Sequence, residues 1–251
     1  MARLIYIGGP TALIEWAGAR LLTDPTLDPA GTEYPTAAYT LRKTMDPALS
    51  AEALPALDAV LLSHDHHFDN LDHGGRRLLA RARRILTTRD GAARLGSEPG
   101  LDPWQTTSLE TSTGAALRIT ATPARHGPPE SDRGPVIGFV LEREGEGAVY
   151  VSGDTVWYDG VAEVAARFPV RTAVLFLGAA RVKAAGDQPL TFTAEGAVEA
   201  ARAFGHATIV PLHFEGWAHF SESRAQVEQA FAAGGLTDRL RWPRPGSPIE
   251  I

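Results

Sequence analysis

Three histidines and two aspartates fall within the six residues His64-Asp65-His66-His67-Phe68-Asp69, inside the longer run Ser63 to Asp72. Neutral imidazole together with carboxylate oxygen suits zinc, manganese or iron, and the hard oxygen donors admit a second ion nearby. In an extended segment, residues two apart point the same way. Asp65, His67 and Asp69 can then face one point, while His64 and His66 share the other face unless the backbone bends. Five further stretches carry donors: Thr23-Asp24-Pro25, Arg125-His126-Gly127-Pro128, Ser152-Gly153-Asp154-Thr155, Pro211-Leu212-His213 and Trp217-Ala218-His219. A water bound to such a metal loses a proton near neutral pH and becomes a nucleophile, and the ion polarises the bond under attack. The chemistry implied is hydrolysis.

These stretches need elements that bring them to one place. Most follow an apolar run, and a strand that ends in a donor presents it at one edge of a sheet. Thr11–Trp16 and Arg20–Thr23 read as a hairpin around Ala17-Gly18-Ala19, stopped at Asp24-Pro25 because proline removes a ladder donor. Ala59–Leu62 is a short continuous apolar run, as in a strand buried on both faces. Leu117–Thr122 alternates, and Val136–Leu141 pairs with Ala148–Val151 across a polar turn. Ala173–Leu177 and Ala207–Val210 are further buried strands. Helices are expected at about Gly74–Arg84, Gly160–Phe168, Thr193–Phe204, where Thr193 is the cap and Glu195 lies in the first turn, and Ser221–Ala232, stopped by Gly234-Gly235. Residues 26–55 show weak periodicity and read as a long loop with one helical turn, of the kind that often forms a functional lid. With no fixed-period repeat and no linker, residues 1–251 read as one domain.

Composition bounds the rest. With 251 residues and 44% hydrophobic content the chain can bury a sizeable core. It has no cysteine, which excludes disulfides, thiolate metal sites and a cysteine nucleophile and fits a cytoplasmic protein. A net charge of −6 argues against a nucleic-acid binder. Arg76, Arg77, Arg81, Arg83 and Arg84 recur at helical spacing and read as a solvated helix face. No apolar run approaches the roughly 20 residues that span a bilayer, and the start, Met1–Gly9, reads as a first strand rather than a secretory signal. The partner expected is a small molecule, anionic ones included; a homo-oligomer is compatible with the sequence.

Taken in order, Gly8 to Ile14, Leu22-Thr23-Asp24-Pro25, the His64–Asp72 cluster, His126, Ser152-Gly153-Asp154-Thr155, Leu190-Thr191-Phe192-Thr193 and Pro211-Leu212-His213 resemble the metallo-β-lactamase superfamily. They are most similar to its branch of ascorbate-6-phosphate lactonases and phospholipase D-type N-acylethanolamine enzymes. The resemblance implies an α+β fold, a four-layer αβ/βα sandwich with divalent metal, one or two ions of Zn, Mn or Fe, along one edge of two facing sheets. The family signature is His-x-His-x-Asp-His, usually before Leu-Asp. Anchored on Leu71-Asp72, its four slots hold Asp65, His67, Asp69 and Asn70, with His64 entering from the adjacent position. Anchored on His64, they hold His64 and His66 and then Phe68 in place of the aspartate. By analogy His67 and His126 belong to a first metal and Asp69 and His213 to a second, with Asp154 bridging. Asp69 doubles as general base, Asn70 is a poorer ligand than imidazole, and Asp24 and His66 stand beside the ligands as supporting or alternative donors. Trp157, Trp217 and His219 are expected to line the substrate pocket, with Tyr158, Phe214 and Glu215 close by. The function implied is a metal-dependent hydrolase of an ester, lactone or phosphoester. The alternative is a non-catalytic or one-metal scaffold, because the signature is altered.

Overall fold

The computed structural model describes residues 2–97, 99–111, 114, 116–131, 133–186 and 188–251. Its first half runs β1 (Arg3–Gly8), β2 (Thr11–Trp16), β3 (Ala19–Thr23), β4 (Glu33–Pro35), β5 (Thr40–Arg42), β6 (Ala59–Leu61), α1 (His73–Leu78), β7 (Ile85–Leu86) and α2 (Arg89–Leu95). The second runs β8 (Thr106–Glu110), β9 (Ala116–Pro123), β10 (Ile137–Glu142), β11 (Ala148–Val151), α3 (Asp159–Arg167), β12 (Val170–Phe176), α4 (Ala194–Ala203), β13 (Thr208–Leu212), α5 (Arg224–Ala233) and β14 (Pro248–Glu250). One six-stranded sheet has the order β14-β1-β2-β3-β6-β7 and the other β13-β12-β11-β10-β9-β8.

The two sheets face each other. Tyr6, Ile14, Trp16 and Leu61 of the first share a buried cluster with Ile119, Phe139, Val151 and Phe176 of the second. The outer face of the second sheet is covered by α3, α4 and α5 through Tyr150, Val164, Ala197 and Phe231. Val60 and Leu62 meet Leu71 and Leu78 on the outer face of the first. Helix, sheet, sheet, helix is the layering expected, and it is the metallo-β-lactamase fold. Among the described residues no helix is long and apolar enough to cross a membrane.

Strand direction explains why the donors meet. β3, β6 and β7 are parallel, as are β11, β12 and β13, while β9 and β11 each lie antiparallel to β10 and so share a direction. Asp24, the Ser63–Asp72 segment, His126, Asp154 and His213 lie at or just past the carboxyl ends of β3, β6, β9, β11 and β13. A crevice outside carboxyl ends is where open α/β sheets bind ligands.

Several expectations need correction. The helix after the histidine cluster is shorter: α1 ends at Leu78 and a 3-10 turn, Leu79–Arg81, follows. The arginines Arg76, Arg77, Arg81 and Arg83 are exposed, as expected of a solvated face, and they also reach back to the fold. Arg76 donates to the Asp65 carbonyl, Arg77 pairs with Asp28, Arg81 donates to the Ala51 and Leu54 carbonyls, and Arg83 pairs with Asp58. Residues 26–55 hold the β4–β5 hairpin rather than a helical turn, and the helix α2 and the strands β8 and β14 had no distinct periodicity to announce them.

Candidate metal centre

Where the apolar run Ala59–Leu62 ends, the backbone does not continue extended. It bends at residues 63, 65 and 66 and turns through 68–70, with Leu71 N–H donating to the His67 carbonyl at 3.0 Å. Residues three apart then meet: His64 Nε2 is 2.9 Å from His67 Nδ1. The alternation that groups Asp65 with His67 and Asp69 therefore fails. Asp65 turns away from the cluster, where Arg94 of α2 grips its carboxylate through Nε and a terminal nitrogen at 2.5–3.1 Å. A carboxylate held by a guanidinium fork is not a free ligand. His66 also lies to one side, half-buried, with Nε2 donating to the Arg133 carbonyl at 2.8 Å.

His126 comes in from the opposite sheet. Its Nδ1 donates to the Leu190 carbonyl at 2.8 Å, which leaves Nε2 as a bare lone pair. That Nε2 lies 3.2 Å from His67 Nδ1 and 3.8 Å from Asp154 Oδ2. One donor atom each from His64, His126 and Asp154, all three buried, can be chosen so that all lie within 4.8 Å of one another; the same holds for His64, His66 and His67. Burial pushes the His64 and His67 imidazoles well below the usual histidine range, and the neighbouring rings push the same way. Both are therefore neutral. His67 Nδ1 has one hydrogen at most and faces two nitrogens, one of them a bare lone pair. A cation with a coordination radius of about 2 Å resolves that crowding, since tetrahedral nitrogen donors lie little more than 3 Å apart. Asp154 Oδ2 is buried without a hydrogen-bond partner among the described residues, as a metal-facing oxygen would be. The donors fit a divalent ion.

A second group lies beside the first. Asp154 Oδ1 accepts from His213 Nδ1 at 2.9 Å, and His213 Nε2, buried and without a hydrogen-bond partner among the described residues, is 3.8 Å from Asp69 Oδ2. His219 Nε2 lies 3.0 Å from the same Asp69 oxygen. Burial pushes the Asp69 carboxyl up, but the imidazoles of His219, His213 and His67 together outweigh it and hold the group below the usual carboxylate range. Asn70 is fully buried, and neither polar atom of its side chain has a partner among the described residues. No compact donor group among the described residues includes Asp69 or His213, so this second set is looser than the first.

Other residues fix the donors. Asp24 Oδ1 accepts from Ser63 N–H at 2.7 Å and anchors the start of the histidine segment; burial and then the Asp154 charge raise its pKa well above the ordinary value. Asp24 thus supports the ligand segment through its backbone and makes no contact with a ligand imidazole among the described hydrogen bonds. Gly153 lets the loop after β11 pack closely on β10 and on Ser63: at φ 60°, a Cβ there would lie 2.6 Å from the Ile137 carbonyl oxygen and 2.8 Å from Ser63 Cβ. Arg125 N–H donates to Thr155 Oγ1 at 3.0 Å, tying the His126 loop to the Asp154 loop.

Of the expected pocket residues, His219 lines a tight cavity of about 10 Å³, room for about one water, with Tyr39, His67, Asp69, His126 and Arg133. Trp157 does not. It packs in the helical layer against Gly196, because α3 carries that segment away from the strand ends. Trp217 is buried with Tyr34 and Leu41, 5.6 Å from Lys43 Nζ, and supports the hairpin from below. Lys43, Arg94 and Arg133 were missed because isolated basic residues, two in loops and Arg94 on the short helix α2, carry no sequence signal.

Residues 19–214 match the family described as Beta-lactamase superfamily domain. Along the full length, the UPF0173 protein YddR of Bacillus subtilis is 25% identical over 252 residues, 97% of each chain. An isothiocyanate hydrolase from Delia radicum gut bacteria superposes with a TM-score of 0.83 at 25% identity, covering 99% of this chain and 98% of that one. A protein described as a possible metal-dependent hydrolase from Veillonella parvula gives 0.84 at 21% identity, covering all of both chains.

Proposed function

This chain belongs to the beta-lactamase superfamily, and from that premise and its donor set we propose that it is a metal-dependent hydrolase of a small molecule, acting on an ester, lactone or phosphoester bond. One observation carries the reading: the buried imidazoles of His64, His67 and His126, the first two held neutral by burial, converge beside Asp154 Oδ2, which has no hydrogen-bond partner among the described residues. The hydrolase named in the similar Delia-derived structure supports the reaction class without fixing the bond. The order of landmarks resembles the ascorbate-6-phosphate lactonase and N-acylethanolamine phospholipase D-type branch.

His64, His67, His126 and Asp154 would hold the ion, which is Zn, Mn or Fe by donor type. Such an ion supplies Lewis acidity and a water acidic near neutral pH. The residues do the rest. The Leu190 carbonyl keeps His126 in the tautomer with Nε2 bare, and the Ser63 hydroxyl fixes the His64 ring. Asp69 stays ionised across the physiological range because the imidazoles around it hold its pKa low. It is thus an orienting acceptor first and a weak base second, placed at Oδ2 to align an attacking water. His219 fixes that carboxylate from the pocket wall. The compact first set and loose second set favour one tightly held ion over two equal ones.

Elemental analysis of protein purified without chelator, followed by assays on generic esters, lactones and phosphodiesters, tests this. At least one equivalent of a divalent metal and hydrolysis that chelation abolishes are expected. Metal well below one equivalent, with no turnover after adding Mn or Zn, refutes it. If metal is bound but activity is absent, or survives in both His126→Ala and Asp154→Ala, the scaffold reading stands instead.

A further inference from the structure

The void over the donor cluster has an uneven lining. His67, Asp69, His126 and His219 form its floor, Leu41, Val182 and Leu190 give apolar walls, and Arg133 is the single cation on its rim. Arg133 has no carboxylate within ion-pair distance among the described residues. Arg76, Arg77, Arg83, Arg89 and Arg94 are all committed to carbonyls or carboxylates of the fold. The one side-chain hydrogen bond shown for Arg133 runs from a terminal nitrogen to Tyr39 Oη at 3.0 Å, with the guanidinium 5.8 Å from that ring. Its backbone is bolted to the cluster: N–H donates to the His126 carbonyl at 3.1 Å, and the carbonyl accepts from His66 Nε2 at 2.8 Å.

We propose that Arg133, aimed by Tyr39, is the anchor for an oxyanion on the substrate, so that the hydrolysed molecule carries a carboxylate or phosphate a few bonds from the scissile group. This rests on the hydrolase reading of the same site and adds the substrate's charge. The backbone, not the side chain, of Arg133 holds the histidines, so the guanidinium is free of structural duty there. A planar guanidinium offers two parallel donors that match a carboxylate or phosphate edge.

The test uses the metal-loaded protein and dead-end ligands. Calorimetry would compare succinate, glutarate and adipate with monocarboxylates of equal length, and with the matching phosphonocarboxylates. One chain length is expected to bind at least about 10-fold more tightly as the diacid, the scale of a hydrogen bond to a charged group. Arg133→Met should remove that advantage while leaving metal content and monocarboxylate affinity unchanged. Arg133→Lys should keep part of it, and Tyr39→Phe should lower it by roughly 2- to 10-fold through loss of one hydrogen bond. A larger advantage for the phosphonates assigns a phosphate-bearing substrate. No diacid advantage at any length, or one that persists in both Arg133 variants, overturns the proposal. Wild-type protein that holds no metal sinks the hydrolase reading and the Arg133 anchor with it, whereas metal-loaded protein without a diacid advantage overturns the anchor alone.

Discussion

Gly75 lies in α1, against the turn that carries Asp24. A Cβ placed on it would sit 1.7 Å from the Pro25 carbonyl oxygen and 2.6 Å from the Pro25 carbonyl carbon. Ordinary contact begins at 3.4 Å, so the two backbones must part by 3.4 − 1.7 = 1.7 Å. Two effects compete in Gly75→Ala. Helix propensity favours alanine by up to about 1 kcal/mol. Overpacking costs about 1–3 kcal/mol where side chains can yield, and backbone against backbone cannot yield in that way. The clash wins, and a net loss of about 2 kcal/mol or more is expected. At about 2–4 °C per kcal/mol for a chain of this size, the midpoint of thermal unfolding falls by about 4–8 °C. Metal affinity should fall with it, since Asp24 on the displaced turn fixes Ser63. Gly74→Ala is the graded control: its Cβ meets the Asp28 carboxylate at 2.9 Å and backbone only at 3.1 Å, so its loss should be smaller. Scanning calorimetry and metal titration of both variants decide it. A Gly75→Ala protein as stable as wild type would refute the packing argument.

Two further outcomes are expected. Asp154→Asn keeps the volume of a buried side chain but removes its charge; metal affinity should fall by at least the roughly 10- to 100-fold seen when supporting residues are lost, as read by competition with a chromogenic chelator. Arg94→Met strands the Asp65 carboxylate, which is 3% exposed, and should cost about 2–3 kcal/mol by urea denaturation, below the about 3–5 of a fully buried pair because the arginine is 46% exposed. Adding Asp65→Asn should recover part of that loss, and no recovery would mean the pair is not the cause.

Much of the site was legible in the sequence because strand ends are. The apolar runs before His126, Asp154 and His213 are real strands, and parallel direction places their carboxyl ends together. The register of the histidine segment was not legible. Period-two alternation assumes an extended chain, and nothing in Ser63–Asp69 announces the bends at residues 65 and 66 that swap His64 for Asp65. Nor could hydropathy find the partners that make donors usable. The Leu190 carbonyl that sets the His126 tautomer and the Arg94 that removes Asp65 are contacts 64 and 29 residues away in sequence. Pocket residues fared worst, since an aromatic near a ligand in sequence, such as Trp157, packs wherever the next helix takes it.

Backbone conformation at the strand ends gives an independent reason to read the cluster as functional. Asp24 and His213 both have positive φ, 24° and 52°, a region that only about a few per cent of non-glycine residues adopt, aspartate and histidine more readily than most; Ala17, Trp104 and Ala179 share it. Each such position costs of order 1–3 kcal/mol and persists only where its surroundings over-determine it. Here they do: Asp24 accepts from Ser63 N–H and donates its own N–H to the Leu61 carbonyl, and His213 N–H donates to the Gly9 carbonyl across the gap between the sheets. Glycine would relieve the backbone at either place and lose the side chain. An aspartate and a histidine at two strained strand ends, on facing sheets and beside the same buried carboxylate Asp154, are what a candidate metal centre at that place would call for.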